Sequence, residues 1–396
     1  MAPAQSSSSQ HSDWLVGNPT RVQQWAALWI GSAGLQILGL QPILLGALYS
    51  EKRVNFDELA MIATAEFITI ALGSVIAGML LSTRHLRTKS AVLLAALAVL
   101  NYAVSYATTP NELLILRSVA GLLEGGTVAI SIELIARSHH AERLGGFFIL
   151  LQTLAQCLLA ALLALWVVPA MGSSGGFHVL AAVFALSLIV AYFVPSEYGD
   201  LPKQPSNMDG VLTVRAILAL LALFTFWLFI GALWAFLEPL GARYGIEARS
   251  VGLLVSTGLA FQVLGVLCAT WIDRRLDYRL AIVACSLVAM SAAAILAANP
   301  SLQMFWIAVL AITFVWMFIA PYHIGLAVAA DSSRSSALLV PAAQILGAAM
   351  GPIAASLFIT NDDVGIVPVF GMGALLCSLA LFGTFLLFSR RRAITV

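Results

Sequence analysis

Apolar residues in this chain come in long blocks, without the alternation of a strand or the one-sided stripe of a surface helix. The blocks lie near 24–49, 58–82, 90–108, 112–135, 145–168, 177–194, 213–237, 249–271, 280–298, 301–329, 337–359 and 365–388. Most approach or exceed the roughly 20 residues a helix needs to cross a hydrocarbon layer about 30 Å thick. Polar or turn-forming pieces separate them, among them Glu51-Lys52-Arg53, Thr109-Pro110-Asn111, Gly172-Ser173-Ser174-Gly175-Gly176, Asn299-Pro300 and Asn361-Asp362-Asp363. The pattern predicts an all-α membrane protein with twelve transmembrane helices.

Composition narrows the classes. Hydrophobic residues make up 61% of the 396 and charged residues 10%, against about 25% charged in a soluble domain. That excludes a soluble enzyme and a disordered chain. A net charge of +1 offers no basic face for nucleic acid. Cys157, Cys268, Cys285 and Cys377 all sit in apolar blocks with no metal-type spacing, so they read as small buried hydrophobes. The Ser- and Gln-rich residues 1–23 lack the basic and apolar regions of a signal peptide and read as a disordered tail.

Lys and Arg predict the orientation. With both termini cytoplasmic, only Lys52, Arg53, Arg243 and Arg249 fall at the outside and only Arg117 lies deep inside a span; every other Lys and Arg is cytoplasmic. A Pro-, Ser- and charge-rich cytoplasmic linker, 195–212, splits the chain into six-helix halves at 24–194 and 213–389, with a basic tail at 390–396. Ser82 and Asp273 stand 191 residues apart, as do Arg143 and Arg334. One offset for two loops suggests a 6+6 repeat, an architecture of secondary transporters.

The motifs then resemble the major facilitator superfamily over residues 24–389. Its signature after the second span, a Gly followed by an Asp and basic residues, is matched by Gly78, Arg84, Arg87 and Lys89, with Ser82 in place of the Asp and His85 at the second Gly. Asp273-Arg274-Arg275 keeps the acidic-basic core in the second half, with Ala269 for the first Gly. The resemblance implies that these loops, Gly78, Arg84, Asp273 and Arg274 among them, help hold one end of a transporter closed. Arg117-Ser118-Val119-Ala120-Gly121 matches the fourth-span signature, whose Arg is associated with proton coupling in members that use protons. The antiporter signature of span five is absent; Gly347, Gly351 and Pro352 in span eleven resemble it instead. The resemblance also implies that spans one, four, seven and ten line a central pathway.

Ionisable residues at membrane depth are expensive and point to function. Glu66 lies about 12 Å below Glu58, Arg117 about 8 Å below Glu112, and Glu124 about 18 Å below it. Arg117 and Glu124, seven residues apart, share a helix face. Burial favours a protonated carboxyl and a neighbouring Arg an ionised one, so Glu66, Arg117 and Glu124 read as a proton relay or a ligand-charge site; a fixed ion pair bracing two helices is the alternative. Glu133 and Arg137 read as a solvated pair one turn apart.

The second half is aromatic. Trp227, Trp234, Trp316 and Tyr322, with His323, are candidates for a cavity wall, beside the deep glutamines Gln36, Gln41, Gln152, Gln156 and Gln344; packing rings, lipid-facing rings and interhelical hydrogen bonds are the alternatives. Pro42, Pro321 and Pro352 are expected to kink their spans and free backbone carbonyls. Gly172-Ser173-Ser174-Gly175 with His178 spells a rhomboid-like protease pattern but reads as an outside turn, and His139, His140 and Glu142 read as solvated rather than metal-binding. The chain is therefore expected to be no enzyme and to need no cofactor or metal. It is expected to move a small amphipathic or aromatic organic compound with protons, as a monomer in a bacterial inner membrane. Proton antiport exporting lipophilic drugs or toxic metabolites is the alternative.

Overall fold

A computed structural model describes residues 14–80, 82–139, 141–199, 213–272, 275–330, 336 and 339–394. The described chain is helical: α1 Arg21–Gly34, α2 Gln36–Ser50, α3 Phe56–Leu80, α4 Leu86–Val104, α5 Pro110–Ala136, α6 Ala141–Leu162, α7 Val168–Ala191, α8 Val214–Ala235, α9 Leu237–Arg243, α10 Ala248–Ile272, α11 Tyr278–Ala297, α12 Leu302–Phe318, α13 Ala320–Ala330, α14 Val340–Ser356 and α15 Ile366–Ile394. Several starts are written in the sequence. Thr20 with Gln23, and Thr109 with Glu112, form reciprocal capping boxes, which satisfy amides that a first turn leaves free. Thr213, Asp277 and Ser301 cap α8, α11 and α12 through their side-chain oxygens.

Among the described residues, nine helical stretches are long and apolar enough to cross a membrane, or ten if the bent pair α12–α13 counts as one. The chain is thus a multi-span membrane protein. One stretch, Arg143–Ala191, has 49 residues, about 74 Å of helix and more than twice a bilayer core. A five-residue π-helical turn, Leu163–Val167, joins α6 to α7, and Gly172 breaks α7 with φ 64° and ψ −157°, a left-handed conformation that suits glycine. The chain reverses there. Ser173 meets Glu51 and Arg53 at one end of the molecule, whereas both Ser138, just before α6, and Ser196, just after α7, lie at the other, beside Trp14 and Leu86 respectively. We call the end of Trp14 the near end and that of Glu51 the far end. The five-residue outside turn expected at 172–176 is therefore a one-residue break, with Ser173 to Gly176 inside the returning helix.

Two further expectations change. The tail expected to be disordered through residue 23 is placed from Trp14 onward: Trp14 is buried and bridges Ser138, the Leu15 amide donates to the Arg137 carbonyl at 2.8 Å, and α1 starts at Arg21. The last helix runs through most of the expected basic tail, to Ile394.

Helices α1 to α7 pack chiefly on one another, with α3–α5 and α4–α7 prominent, and α8 to α15 chiefly on one another, with α8–α14, α8–α15 and α10–α12 prominent. The two groups meet through α3–α14, α6–α10 and α2–α9/α10. Small residues allow the tightest crossings. A Cβ on Gly125 would strike the Ile70 carbonyl and the Ser74 amide of α3, so the α3–α5 backbones touch only because glycine stands there.

Candidate functional site

Arg117 is the largest side chain to be fully buried, at 1% exposure, and Glu66 and Glu124 are equally buried. α3, α4 and α5 bring them together. Nη2 of Arg117 donates to Glu66 Oε1 and, at 3.2 Å, to Glu124 Oε1; Nη1 donates to Asn101 Oδ1 at 2.9 Å. Asn101 is fixed in turn by donating to the Leu97 carbonyl at 2.9 Å. The guanidinium carbon lies 5.6 Å from the Phe177 ring centre on α7, a cation–π contact that helps offset desolvation. Glu66 Oε2, Glu124 Oε2 and Arg117 Nε have no hydrogen-bond partner. The cluster lies inside the first helix group, enclosed by α3, α4, α5 and α7. Asn101 and Phe177 complete it; only the depth of Asn101 in its block hinted at that role in the sequence.

A second cluster is aromatic. Trp316 receives Trp227 and Trp234 nearly edge-on, with ring centres 5.9 and 5.4 Å away, the arrangement that ring quadrupoles favour. Trp227 Nε1 donates to His323 Nδ1 at 3.4 Å, so His323 accepts there and carries its proton on Nε2. Phe226 stands edge-on to His323 at 5.3 Å, and Tyr322 stacks toward Phe318 at 5.4 Å. The buried Trp316 Nε1 finds no partner.

The glutamines serve a break in the first span. Leu35, between α1 and α2, leaves the helical region with φ −95° and ψ 8°. Gln156 Nε2 donates to its carbonyl at 2.7 Å, and Gln36 Nε2 donates to the Ser32 carbonyl at 2.7 Å. Gln36 Oε1 and Gln41 Nε2 remain unpartnered and buried, while Gln152 and Gln344 are half-buried. The break falls seven residues before Pro42, which sits inside α2. Pro42 lacks the N–H that would bond the Leu38 carbonyl, and Trp234 Nε1 takes that carbonyl at 2.8 Å. A bend of 42° separates α12 from α13, beside Pro321. The first and second helix groups meet again where Cys157 Sγ donates to the Ser256 carbonyl at 3.2 Å and Ser256 Oγ to the Cys157 carbonyl at 2.9 Å.

The loop after α3 does not reach the second group among the described residues. Gly78 has open space around it. The backbones of Arg84 and Glu197 pair as a short antiparallel bridge, Leu86 N–H donates to the Ser196 carbonyl at 2.9 Å, and Arg87 Nε donates to the Val194 carbonyl at 2.7 Å, so the loop is pinned to the segment that follows α7. Asp273 and Arg274 lie outside the described residues. The Glu133–Arg137 pair forms, but Arg137 is buried, donates to the Gly199 carbonyl at 2.7 Å and lies 5.3 Å from the Tyr198 ring centre; it braces the chain after α7 rather than sitting in water. The protease-like pattern does not assemble either. Ser173 binds Glu51 and Arg53, and His178 pairs with Ser105 at 2.9 Å.

Comparisons agree with this fold. The model of the Major Facilitator Superfamily matches residues 26–338. NiaP of Bacillus subtilis (strain 168), named a niacin/nicotinamide transporter, is 25% identical over 185 residues, 45% of each chain; the match thus spans under half of that relative's length. The nucleoside transporter NupG has the same fold at a TM-score of 0.75 and 12% identity, over 92% of this chain and all of that one. An inward-facing, occupied bacterial homolog of the human lysosomal transporter Spinster aligns at 0.69 and 13%, over 93% and 96%. A D-xylose-proton symporter aligns at 0.67 and 14%, over 91% and 95%. The chain belongs to the Major Facilitator Superfamily.

Proposed function

We propose that the protein couples protons to the movement of a small amphipathic or aromatic organic compound. The observation that carries this reading is the charge count of the buried cluster. One guanidinium, Arg117, faces two carboxyls, Glu66 and Glu124. With all three ionised the cluster holds a net negative charge away from water, which is costly; one proton shared by the two carboxyls balances it. Each carboxyl keeps one oxygen without a partner, where such a proton sits. Enclosure by four helices of one group suits a proton better than a ligand. The Trp227–Trp316–Trp234 cluster offers an apolar aromatic surface, and Trp316 Nε1 and Gln36 Oε1 are polar atoms without a partner. The name of the Bacillus subtilis relative points the same way, to a small aromatic heterocycle.

In this reading the chain crosses the membrane twelve times. Gly172 divides the 49-residue stretch into two spans, α12–α13 is one broken span, and the 17-residue α14 is a short one. The halves are 24–194 and 213–389, the linker 195–212 and both termini are cytoplasmic, and the near end is the cytoplasmic end. A single chain in a bacterial inner membrane forms the pathway.

Reconstitution in vesicles tests the proposal. Labelled nicotinamide or nicotinate accumulates against its gradient when a pH gradient is imposed, and Glu66→Gln and Glu124→Gln each abolish accumulation while leaving equilibrium exchange. Accumulation that survives both substitutions ends the proton-site reading. Stabilisation by lipophilic cations alone, lost with either Glu, assigns the reverse direction, export by antiport.

A further inference from the structure

Glu238 is a buried carboxyl that no part of the cluster around Arg117 uses. It is 5% exposed and sits in α9, where the second helix group meets α2 of the first at the far end. Its carboxyl lies on the backbone of α2: a Cβ on Gly46 would come within 2.6 Å of Glu238 Oε2. Its only described donor is the Ser50 hydroxyl, at 3.2 Å to Oε1, and Oε2 has no partner. Glu238 also lines a crevice of about 350 Å3 between the groups, together with Ser50, Glu51, Ala164, Arg249 and Gly252.

Among the described residues, no cation compensates it. On its own element, Arg243 is committed to Asp363. Facing it from α2 and the loop that follows are Tyr49 and Glu51, the latter engaged by Ser173 and Arg53. From α10 comes the exposed Arg249, with no ion pair to Glu238. Asp362, in the loop before α15, acts on Tyr49. A carboxylate pressed against a glycine backbone, with one hydroxyl donor and the acidic Glu51 on the same crevice, is an uncompensated buried charge. The neutral acid is not.

We propose that Glu238 is a second proton-binding site, at the far-end gate, which holds the two helix groups together when protonated and releases them when ionised. The role outside rests on the reading that the far end faces the exterior. The sign follows from linkage: the closed interface binds the proton more tightly than the open one, so closure is favoured at low external pH and lost as pH rises. External protons would thereby reset the carrier toward the inside, at a residue distinct from the Glu66–Arg117–Glu124 cluster.

The test reads gate opening and not transport. In a background lacking the four native cysteines, Ala47→Cys places a thiol in the crevice wall, and a membrane-impermeant maleimide reports its accessibility. Labelling in vesicles, taken as the ratio to an exposed reference cysteine at Asp57 so that ordinary thiol ionisation cancels, rises about tenfold between about pH 5 and pH 8, the change that a one-unit difference in proton affinity between closed and open states gives. Glu238→Gln keeps the shape and the Ser50 contact; its labelling stays low and flat. Spin labels at Asp57 and Thr360, away from the packed carboxyl, report the same opening as a lengthening distance. In a Glu66→Gln/Glu124→Gln double variant the pH response persists. A flat profile in the parent, or an unchanged profile in Glu238→Gln, overturns the proposal; a response abolished only by the double variant assigns pH sensing to the buried cluster instead.

Discussion

The helix pairs α3–α5 and α10–α12 are built alike and filled differently. Both cross at glycine. Gly73 meets the Leu122 carbonyl and Gly265 the Phe314 carbonyl, and the two glycines fall within one residue of the 191-residue spacing between the halves. Around the first crossing stand Glu66, Arg117 and Glu124; around the second stand Thr313, Phe314 and Trp316. One scaffold thus carries a charged cluster in one half and an aromatic one in the other. The two crossings share backbone contacts, which have steric reasons, and differ in the side chains around them; in the proposed function those side chains divide the work between proton and ligand.

The comparison predicts unequal responses to truncation. Arg117→Leu leaves two buried carboxyls without their cation, and loss of about 3–5 kcal/mol is expected, read as a large drop in thermal unfolding temperature in detergent. Replacing Arg117, Glu66 and Glu124 together by Met restores much of that stability and leaves proton-driven accumulation absent; a triple variant as unstable as Arg117→Leu breaks the charge-balance argument. The glycine crossings come next. Gly125→Ala meets backbone, the Ile70 carbonyl and the Ser74 amide, whereas Gly258→Ala meets the Thr313 methyl at 3.0 Å. The first is expected to cost about 1–3 kcal/mol and the second clearly less, because a side chain yields where a backbone cannot. Equal costs would mean that the two crossings differ less than their contacts imply. The smallest effect is Trp316→Phe, which trims two edge-on ring pairs worth about 0.5–1.5 kcal/mol each. It should weaken binding of an aromatic ligand while leaving the pH dependence of transport in place, as equilibrium binding and transport profiles would show together.

Much of this was legible in the sequence because the bilayer makes the rules stringent. Length and apolarity mark the helices, and Thr20, Thr109, Thr213, Asp277 and Ser301 mark their starts. Arg117, Glu66 and Glu124 stand out because charge is rare at that depth. The partners were harder to find. Nothing in the spacing of Asn101 or Phe177 says that their helices turn them toward Arg117. Glu238 sits one residue past an apolar block and reads as an edge residue; only the packing of α9 on α2 buries it. The break at Leu35 was illegible for another reason. No proline or glycine occupies it, and what holds it is the amides of Gln36 and Gln156, one of them on a distant helix. The five small residues at 172–176 suggested a loop because composition reports flexibility, while a single left-handed glycine was enough to turn the chain.

The hydrogen bond from Trp234 to the carbonyl freed by Pro42 joins the two helix groups with an indole as its donor. Any rearrangement that parts the far end must change the surroundings of that ring, which is 4% exposed in the closed form. With the other eight tryptophans replaced, Trp234 is an intrinsic optical reporter at the seam, whose emission colour follows such a rearrangement without an added dye.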